Sequence, residues 1–182
     1  METITVMERD ASTKVKKLRR SGMVPCVIYG GALSESISIQ MEKTVADKMF
    51  KLKREGSKIL LRIEEQEIPV QIKDQMRDCL TRELTHISFQ ALKVDRKVNS
   101  VAHILLVNED KIKGTLEKMV LEIPYMSLPE DMIDTVSIDL DGIPNGSVKT
   151  VGDISEFQSK KIELQIETDN IVFRIRDKKV LS

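Results

Sequence analysis

Between Thr3 and Val94 the chain is a series of short segments in which apolar and polar residues alternate, with turn signals between them. Alternation puts every second side chain on one face of a strand. The connections are mostly too short for the crossover that joins two parallel strands in sequence. Six strands are predicted at residues 3–7, 24–29, 36–40 (SISIQ), 59–63, 68–72 (IPVQI) and 85–94 (THISFQALKV), with Ile87, Phe89 and Leu92 facing inward. Pro69 argues for a strand start or an edge, residues 74–83 read as polar and irregular, and Glu64–Glu67 reads as a hairpin turn. With no Trp and only 3% aromatics, the interior must be built from Ile, Val, Leu and Met. Such strands suggest a small closed or half-closed barrel.

Two helices interrupt the strands. Residues 43–55 place Val45, Met49 and Leu52 at i, i+4 and i+7, with Ala46 and Phe50 widening the stripe, and Gly56 ends the run. Residues 14–21 form a shorter helix, with Ser12 or Thr13 as its expected cap and Gly22 as its stop. Asp95–Val98 (DRKV) reads as a boundary, giving domains 1–95 and 96–182. The second half is again β-rich. Strands are expected at 98–107, 116–123, 135–140, 162–166 and 171–175, and a helical turn at 151–157. Ile123-Pro124 and Leu128-Pro129 should bracket a loop, and residues 168–170 should close a hairpin between the last two strands. The fold class is therefore mainly β with short helices (α+β).

Charge is distributed unevenly on a neutral chain with 29 basic and 29 acidic residues. From Arg9 to Arg20 there are six cations (Arg9, Lys14, Lys16, Lys17, Arg19, Arg20) against Asp10, a local +5. Residues 1–95 hold 17 basic and 14 acidic residues, a net of +3, and residues 96–182 hold 12 and 15, a net of −3. A charge run is often only a solvated helix face. Here Lys16, Arg19 and Arg20 fall at i, i+3 and i+4 and share one side of the short helix. That makes it a phosphate clamp in outline. No apolar run approaches the length of a membrane span, and residues 1–10 do not read as a signal peptide. Cys26 and Cys79 form no CxxC, so a reduced cytoplasmic protein is expected, a Cys26–Cys79 disulfide being the less favoured alternative.

An enzyme reading has little to stand on. The two histidines, His86 and His103, lack a second ligand at metal-binding spacing. Cys79 and His86 would pair as nucleophile and base only if the fold joined them, and Gly30-Gly31 lacks phosphate-loop spacing. No cofactor, metal or small-molecule substrate is expected. A binding reading gathers Arg9, the helix cations, Tyr29, Lys73, Arg77 and His86 in the first half. Tyr29 is either a core residue at the rim or a phenol that stacks on a nucleotide.

The strings LRRSGMVPCVIYGG (residues 18–31), VQIKD (70–74) and HISF (86–89) resemble bacterial large-subunit ribosomal protein 25. The length resembles the family's long form, the general stress protein CTC type, with a second β domain matched loosely through residues 123–154. The resemblance implies an N-terminal six-stranded β-barrel with two helices that binds 5S ribosomal RNA at loop E, on the minor groove, plus a C-terminal β-rich domain. It implies RNA contacts from Arg9, Lys16, Arg19, Tyr29, Lys73 and His86, with Lys14 and Arg20 close enough to contribute phosphate contacts and Ser88 at the RNA surface. The departures are Ser88 in place of an aspartate, Met76 in place of a glutamine, Lys16 in place of an arginine and Val15 in place of a small polar residue. The Gly-Lys that often precedes the helix is also absent. Lysine keeps the charge without the bidentate fork, so weaker or less specific RNA binding is expected. Neighbouring ribosomal proteins are the expected partners of the second domain. The alternative is a divergent paralogue, a stress-related protein-interaction module with weak RNA binding.

Overall fold

Alternation becomes closure in the first unit. The computed structural model describes residues 3–10, 12–31 and 33–177, and the chain divides into two compact units, Met1–Val98 and Asn99–Ser182. Six strands of the first unit form a closed barrel: β1 (Thr3–Glu8), β2 (Met23–Tyr29), β3 (Ile37–Glu42), β4 (Lys58–Ile63), β5 (Gln66–Arg77) and β6 (Leu84–Ala91), in the order β1-β3-β2-β6-β5-β4. Two pairings are parallel. β1 lies on β4 from Thr3↔Leu60 to Val6↔Ile63, and β2 lies on β6 from Cys26↔Ile87 to Tyr29↔Gln90. Neither pair is consecutive in sequence, so short links suffice. Closure leaves no open edge for another chain to pair with.

The inward phase of each strand fills the barrel. Ile4 and Val6, Val24, Cys26 and Ile28, Ile39 and Met41, Ile59, Leu61 and Ile63, Val70 and Ile72, and Ile87, Phe89 and Ala91 form one buried cluster. Helix α2 (Lys43–Leu52) adds Ala46 and Met49 to it, with Val45 and Phe50 partly buried. Leu52 stays exposed, because the helix ends there rather than at residue 55. The prolines of β2 and β5 sit where their missing N–H groups matter least. Pro25 precedes the first β2–β6 pair, Cys26↔Ile87, and Pro69 lies just beyond the last β5–β6 pair, Val70↔Ala91. The edge or strand start expected for Pro69 is thus the place within β5 where the β5–β6 ladder ends, and its carbonyl still accepts the Leu92 N–H at 2.9 Å.

β5 corrects a sequence expectation. Residues 74–77 are not irregular but continue the strand to Arg77, because the register shifts between Ile72 and Asp74. That bulge at Lys73 resets the in–out phase, and the alternation that sequence reading follows is lost across it.

The second unit opens with β7 (Val98–Val107) and continues with β8 (Thr115–Lys118), β9 (Glu122–Ser127), β10 (Thr135–Asp139), β11 (Val148–Thr150), β12 (Glu163–Leu164) and β13 (Ile171–Arg176). They form a four-stranded sheet, β10-β7-β9-β12, and a three-stranded sheet, β11-β13-β8, around a core that includes Ala102, Ile104, Tyr125, Phe157 and Phe173. The expected strand at 116–123 splits at Met119–Leu121 into β8 and β9, which belong to different sheets. Pro124 lies inside β9, so it does not open a loop. Residues 168–170 close no hairpin, because β12 and β13 are in separate sheets. They are tied instead to the 3-10 turns at 151–158, through Val151 N–H to the Asn170 carbonyl (2.9 Å) and Gly152 N–H to the Thr168 carbonyl (2.8 Å). The Tyr125 hydroxyl anchors the loop after β9. It donates to the Ile133 carbonyl at 2.9 Å and accepts the Ile133 N–H at 2.7 Å.

Cys26 and Cys79 are both free thiols, one buried and one exposed. Desolvation pushes the Cys26 thiol up to about 12, outweighing the nearby Arg9 charge. Native protein treated with a thiol reagent at neutral pH should therefore label at Cys79 alone, with Cys26 reacting only after denaturant. Labelling of Cys26 in the folded state would contradict this core. Gly31 supplies a second test. It has φ +65°, and a Cβ built there would lie 2.6 Å from the Ala91 carbonyl oxygen. Gly31→Ala should cost at least about 1 kcal/mol in a urea melt from the left-handed backbone alone.

Candidate nucleic-acid interface

The outward phase of the same strands builds one face, because register places residues far apart in sequence side by side. Val27 of β2 pairs with Ser38 of β3 on one side and with Ser88 of β6 on the other. Ser88 lies opposite Asp74 of β5, His86 opposite Met76, and Tyr29 beside Gln90. Just past β1, the Arg9 N–H donates to the Ser38 carbonyl at 2.9 Å. Arg9, Ser38, Val27, Ser88 and Asp74 thus form a row across five strands, flanked by His86 and Tyr29. Tyr29 is 37% exposed, so of its two readings the structure shows a ring at the surface rather than in the core.

Helix α1 (Val15–Arg20) adjoins this face and packs on β2. Its start is not capped by Ser12 or Thr13. Lys14 occupies the cap position without a side-chain bond, and Ser12 instead bonds to Asp10, through its N–H at 2.8 Å and its hydroxyl at 2.5 Å. These bonds hold the Asp10 carboxyl below its ordinary range. The helix stops as expected at Gly22, whose φ is +78° and whose N–H donates to the Arg19 carbonyl at 3.1 Å. Leu18 is buried and pins α1 to the barrel, while Lys14, Lys16, Lys17, Arg19 and Arg20 are exposed. Cations in the last turn also suit the negative end of the helix dipole.

Arg19 does more than present charge. Its Nε and Nη2 both donate to the Thr85 carbonyl, at 3.0 and 2.8 Å, clamping α1 to β6 next to His86. Arg9 reaches Ser38 Oγ through Nη2 at 3.4 Å, and its buried Nε has no acceptor among the described residues. That donor is costly to leave unmet. Lys14, Lys16 and Arg20 make no side-chain hydrogen bond or ion pair among the described residues. Lys73 occupies the bulge and is half-buried. Arg77 is diverted from the face: Nη1 donates to the Arg82 carbonyl at 3.1 Å, Nε to Gln75 at 3.3 Å, and its guanidinium carbon lies 5.9 Å from the centre of the Phe50 ring.

His86 is half-buried, and its pKa falls below the ordinary 6.5. Desolvation is the largest cause, the positive charges of Arg19 and Arg9 add to it, and Asp74 opposes it. The ring is therefore neutral at pH 7. Sequence reading missed Ser38, Gln40, Gln90 and Asp74. The polar phase of SISIQ was the available signal for the first two, and only the register signals the others. Cys79 sits in the exposed turn of residues 78–83, held by Asp78, whose carboxylate accepts the Leu80 and Thr81 N–H groups at 2.9 Å. Among the described residues no group of three or more His, Cys, Asp or Glu is placed to hold a metal ion, and no helix is long and apolar enough to cross a membrane.

The first unit is thus a closed β-barrel domain with the exposed cations of α1 beside the outward face of its strands. Residues 4–89 match the model of the Ribosomal L25p family. The chain is 34% identical to the large ribosomal subunit protein bL25 of Dictyoglomus turgidum, over 87% of this chain and 82% of that protein. It is 30% identical to the protein of the same name from Gloeothece citriformis, over 84% and 80%, and 29% identical to that of Dictyoglomus thermophilum, over 94% and 87%. The chain belongs to the Ribosomal L25p family, which is a family of ribosomal proteins and not of enzymes.

The environment of His86 sets a pH test. A histidine with a lowered folded pKa opposes folding once protonated. Full stability holds above the unfolded value near 6.5 and declines as pH falls from there through the lowered value. NMR titration should place His86 below 6.5, Asp74→Asn should lower it further, and Arg19→Gln should raise it. A His86 pKa above 6.5 would contradict this electrostatic arrangement.

Proposed function

We propose that the chain is a large-subunit ribosomal protein that binds 5S ribosomal RNA at loop E, through the outer face of its barrel and helix α1. One observation carries the reading: Arg9, Arg19, Tyr29, His86 and Ser88, scattered over eighty residues of sequence, fall on or beside one outward surface. Lys14, Lys16 and Arg20 neutralise phosphates along α1, with Lys73 contributing from the bulge. Arg9 brings its guanidinium charge to the same face beside Ser38. Tyr29 and His86 present rings that stack or donate at unstacked bases. Arg19 clamps α1 to β6 through Nε and Nη2, which holds the helix cations beside the strand face. Arg77, tied to its own loop and to Phe50, holds that loop and makes no RNA contact.

Residues 1–95 are the RNA-binding domain in this reading. Residues 96–182, with a net charge of −3, are suited to a neighbouring ribosomal protein and not to RNA. The family supports a place on the ribosome, hence in the cytoplasm, since its members are named for the large subunit.

The test is a gel shift of the full chain on 5S rRNA across a salt series. With five or six phosphates neutralised, log K should fall with log salt by roughly 0.7–0.9 per contact. Lys16→Ala and Arg20→Ala should each flatten the slope by about one contact, and Tyr29→Ala should cost about 1–3 kcal/mol of stacking. A salt-independent affinity, or equal affinity for an unrelated RNA, would overturn the reading.

A further inference from the structure

The second unit has a strand edge left uncovered among the described residues. β10 ends the four-stranded sheet, with β7 as its partner. Its backbone faces two ways. The Asp134 carbonyl accepts the His103 N–H at 3.0 Å, and the Leu140 N–H donates to the Val107 carbonyl at 3.1 Å. In a parallel ladder that phase turns Val136 and Ile138 to β7 as well. It leaves the N–H and C=O groups of Thr135, Ser137 and Asp139 pointing away from the sheet, and they make no backbone bond among the described residues. All three residues are exposed. Proteins blunt such edges with proline, lysine, a bulge or a covering loop. TVSID has no proline, no lysine and an unbroken register. At five residues it is the longest of the sheet-end strands described, β8, β11 and β12 having four, three and two.

Beside this edge lies a groove of about 250 Å³ between β10 and the 3-10 turns at 151–158. It falls short of the roughly 300–1,000 Å³ of a small-molecule pocket. Its charged lining is Asp139, Asp153 and Glu156 against Lys149, three acids and one base, a net of −2. The Asn108 side chain and the Thr150 N–H hold the Asp139 and Asp153 carboxyls, respectively, below their ordinary range, so both are charged at neutral pH. Unpaired ladder groups on a sheet edge take an extended peptide. The acidic lining favours cations and repels a nucleic acid, and a second copy of β10 would bring the same acids against it. We propose that β10 and this groove dock an extended basic segment of a neighbouring ribosomal protein. The segment adds to the sheet as a further strand through Thr135, Ser137 and Asp139 and sets its lysines or arginines against Asp139, Asp153 and Glu156. This deepens, and rests on, the reading of residues 96–182 as the part that meets another protein.

The probe is a short peptide alternating lysine and valine, added to the full chain labelled for NMR. The largest amide shifts should fall at Thr135, Ser137 and Asp139, whose N–H groups should also become protected from exchange. The same peptide N-methylated at every valine, or at every lysine, keeps its charge but loses the donors of one edge. One of the two methylated forms should bind about tenfold more weakly than the parent, and the other should bind like it. Ser137→Pro removes the outward N–H and leaves the ladder to β7 intact. It should weaken the lysine peptide about tenfold, with unmoved amides elsewhere verifying the fold. If it fails to fold, Glu156→Lys replaces it and should weaken the same peptide. Any of four results overturns the proposal. The first is a lysine peptide that does not bind, or whose methylated forms both bind like the parent, which marks charge attraction alone. The second is a variant that binds like the wild type. The third is a set of β10 amides already protected in the free chain, as pairing with a second copy would give. The fourth is a set of shifts elsewhere in residues 99–177, which leaves the second unit a protein contact by another surface. Failure of the underlying reading looks different: residues 99–177 would then respond to 5S rRNA and to no peptide.

Discussion

The parallel pairing of β2 with β6 is the contact on which the rest depends. Four register pairs, from Cys26↔Ile87 to Tyr29↔Gln90, join stretches some sixty residues apart. Inward, the pairing buries Cys26, Ile28, Ile87 and Phe89 at 2% exposure or less. Outward, it sets Val27 against Ser88 and Tyr29 against Gln90. One set of backbone hydrogen bonds thus fixes both the core and the candidate face, and a one-residue slip would exchange the two. Arg19 reinforces this contact from outside, because its two bonds to the Thr85 carbonyl fasten α1 to the strand next to His86.

The face has a division of labour that follows from where each group is held. On α1, Lys16 and Arg20 are exposed and make no side-chain bond among the described residues, which in the proposed reading suits them to phosphates, contacts that contribute affinity without sequence information. The strand groups are fixed by register, with His86 and Ser88 half-buried and Tyr29 and Asp74 exposed. His86 shows the consequence of crowding such groups. Burial and two guanidinium charges together lower its pKa, with Asp74 opposing them.

Much of the barrel was legible in the sequence because its signals are local. SISIQ, KILLRI and the run before Gly30 each show their phase in five or six residues, and α1 is marked by Leu18 and Gly22. What was not legible depends on distance or on a break in phase. The bulge at Lys73 hid the continuation of β5 and with it the placement of Asp74 and Met76. The split of residues 115–127 between two sheets follows from the packing around Tyr125 and Phe173, which alternation cannot reveal. Among the candidate site residues, charge pointed to the α1 cluster. For Arg77 charge alone did not show that the side chain also bonds to the Arg82 carbonyl and lies over the Phe50 ring. Arg9 showed as a charge and through the family resemblance, but its unmet Nε is a property of the fold.

The central claim is that the outward surface of β1, β3, β2, β6 and β5 is where RNA lies. The most direct measurement is a map of backbone amide chemical shifts of the full chain as a loop E duplex is added. The account predicts that the largest changes cluster at Arg9, Val27, Tyr29, Ser38, Asp74, His86 and Ser88 and along α1. It also predicts that the hairpin of Arg62 and Glu67, on the β4 side of the barrel, stays unchanged. Changes centred on that hairpin, or in residues 99–177 with the face unmoved, would contradict it.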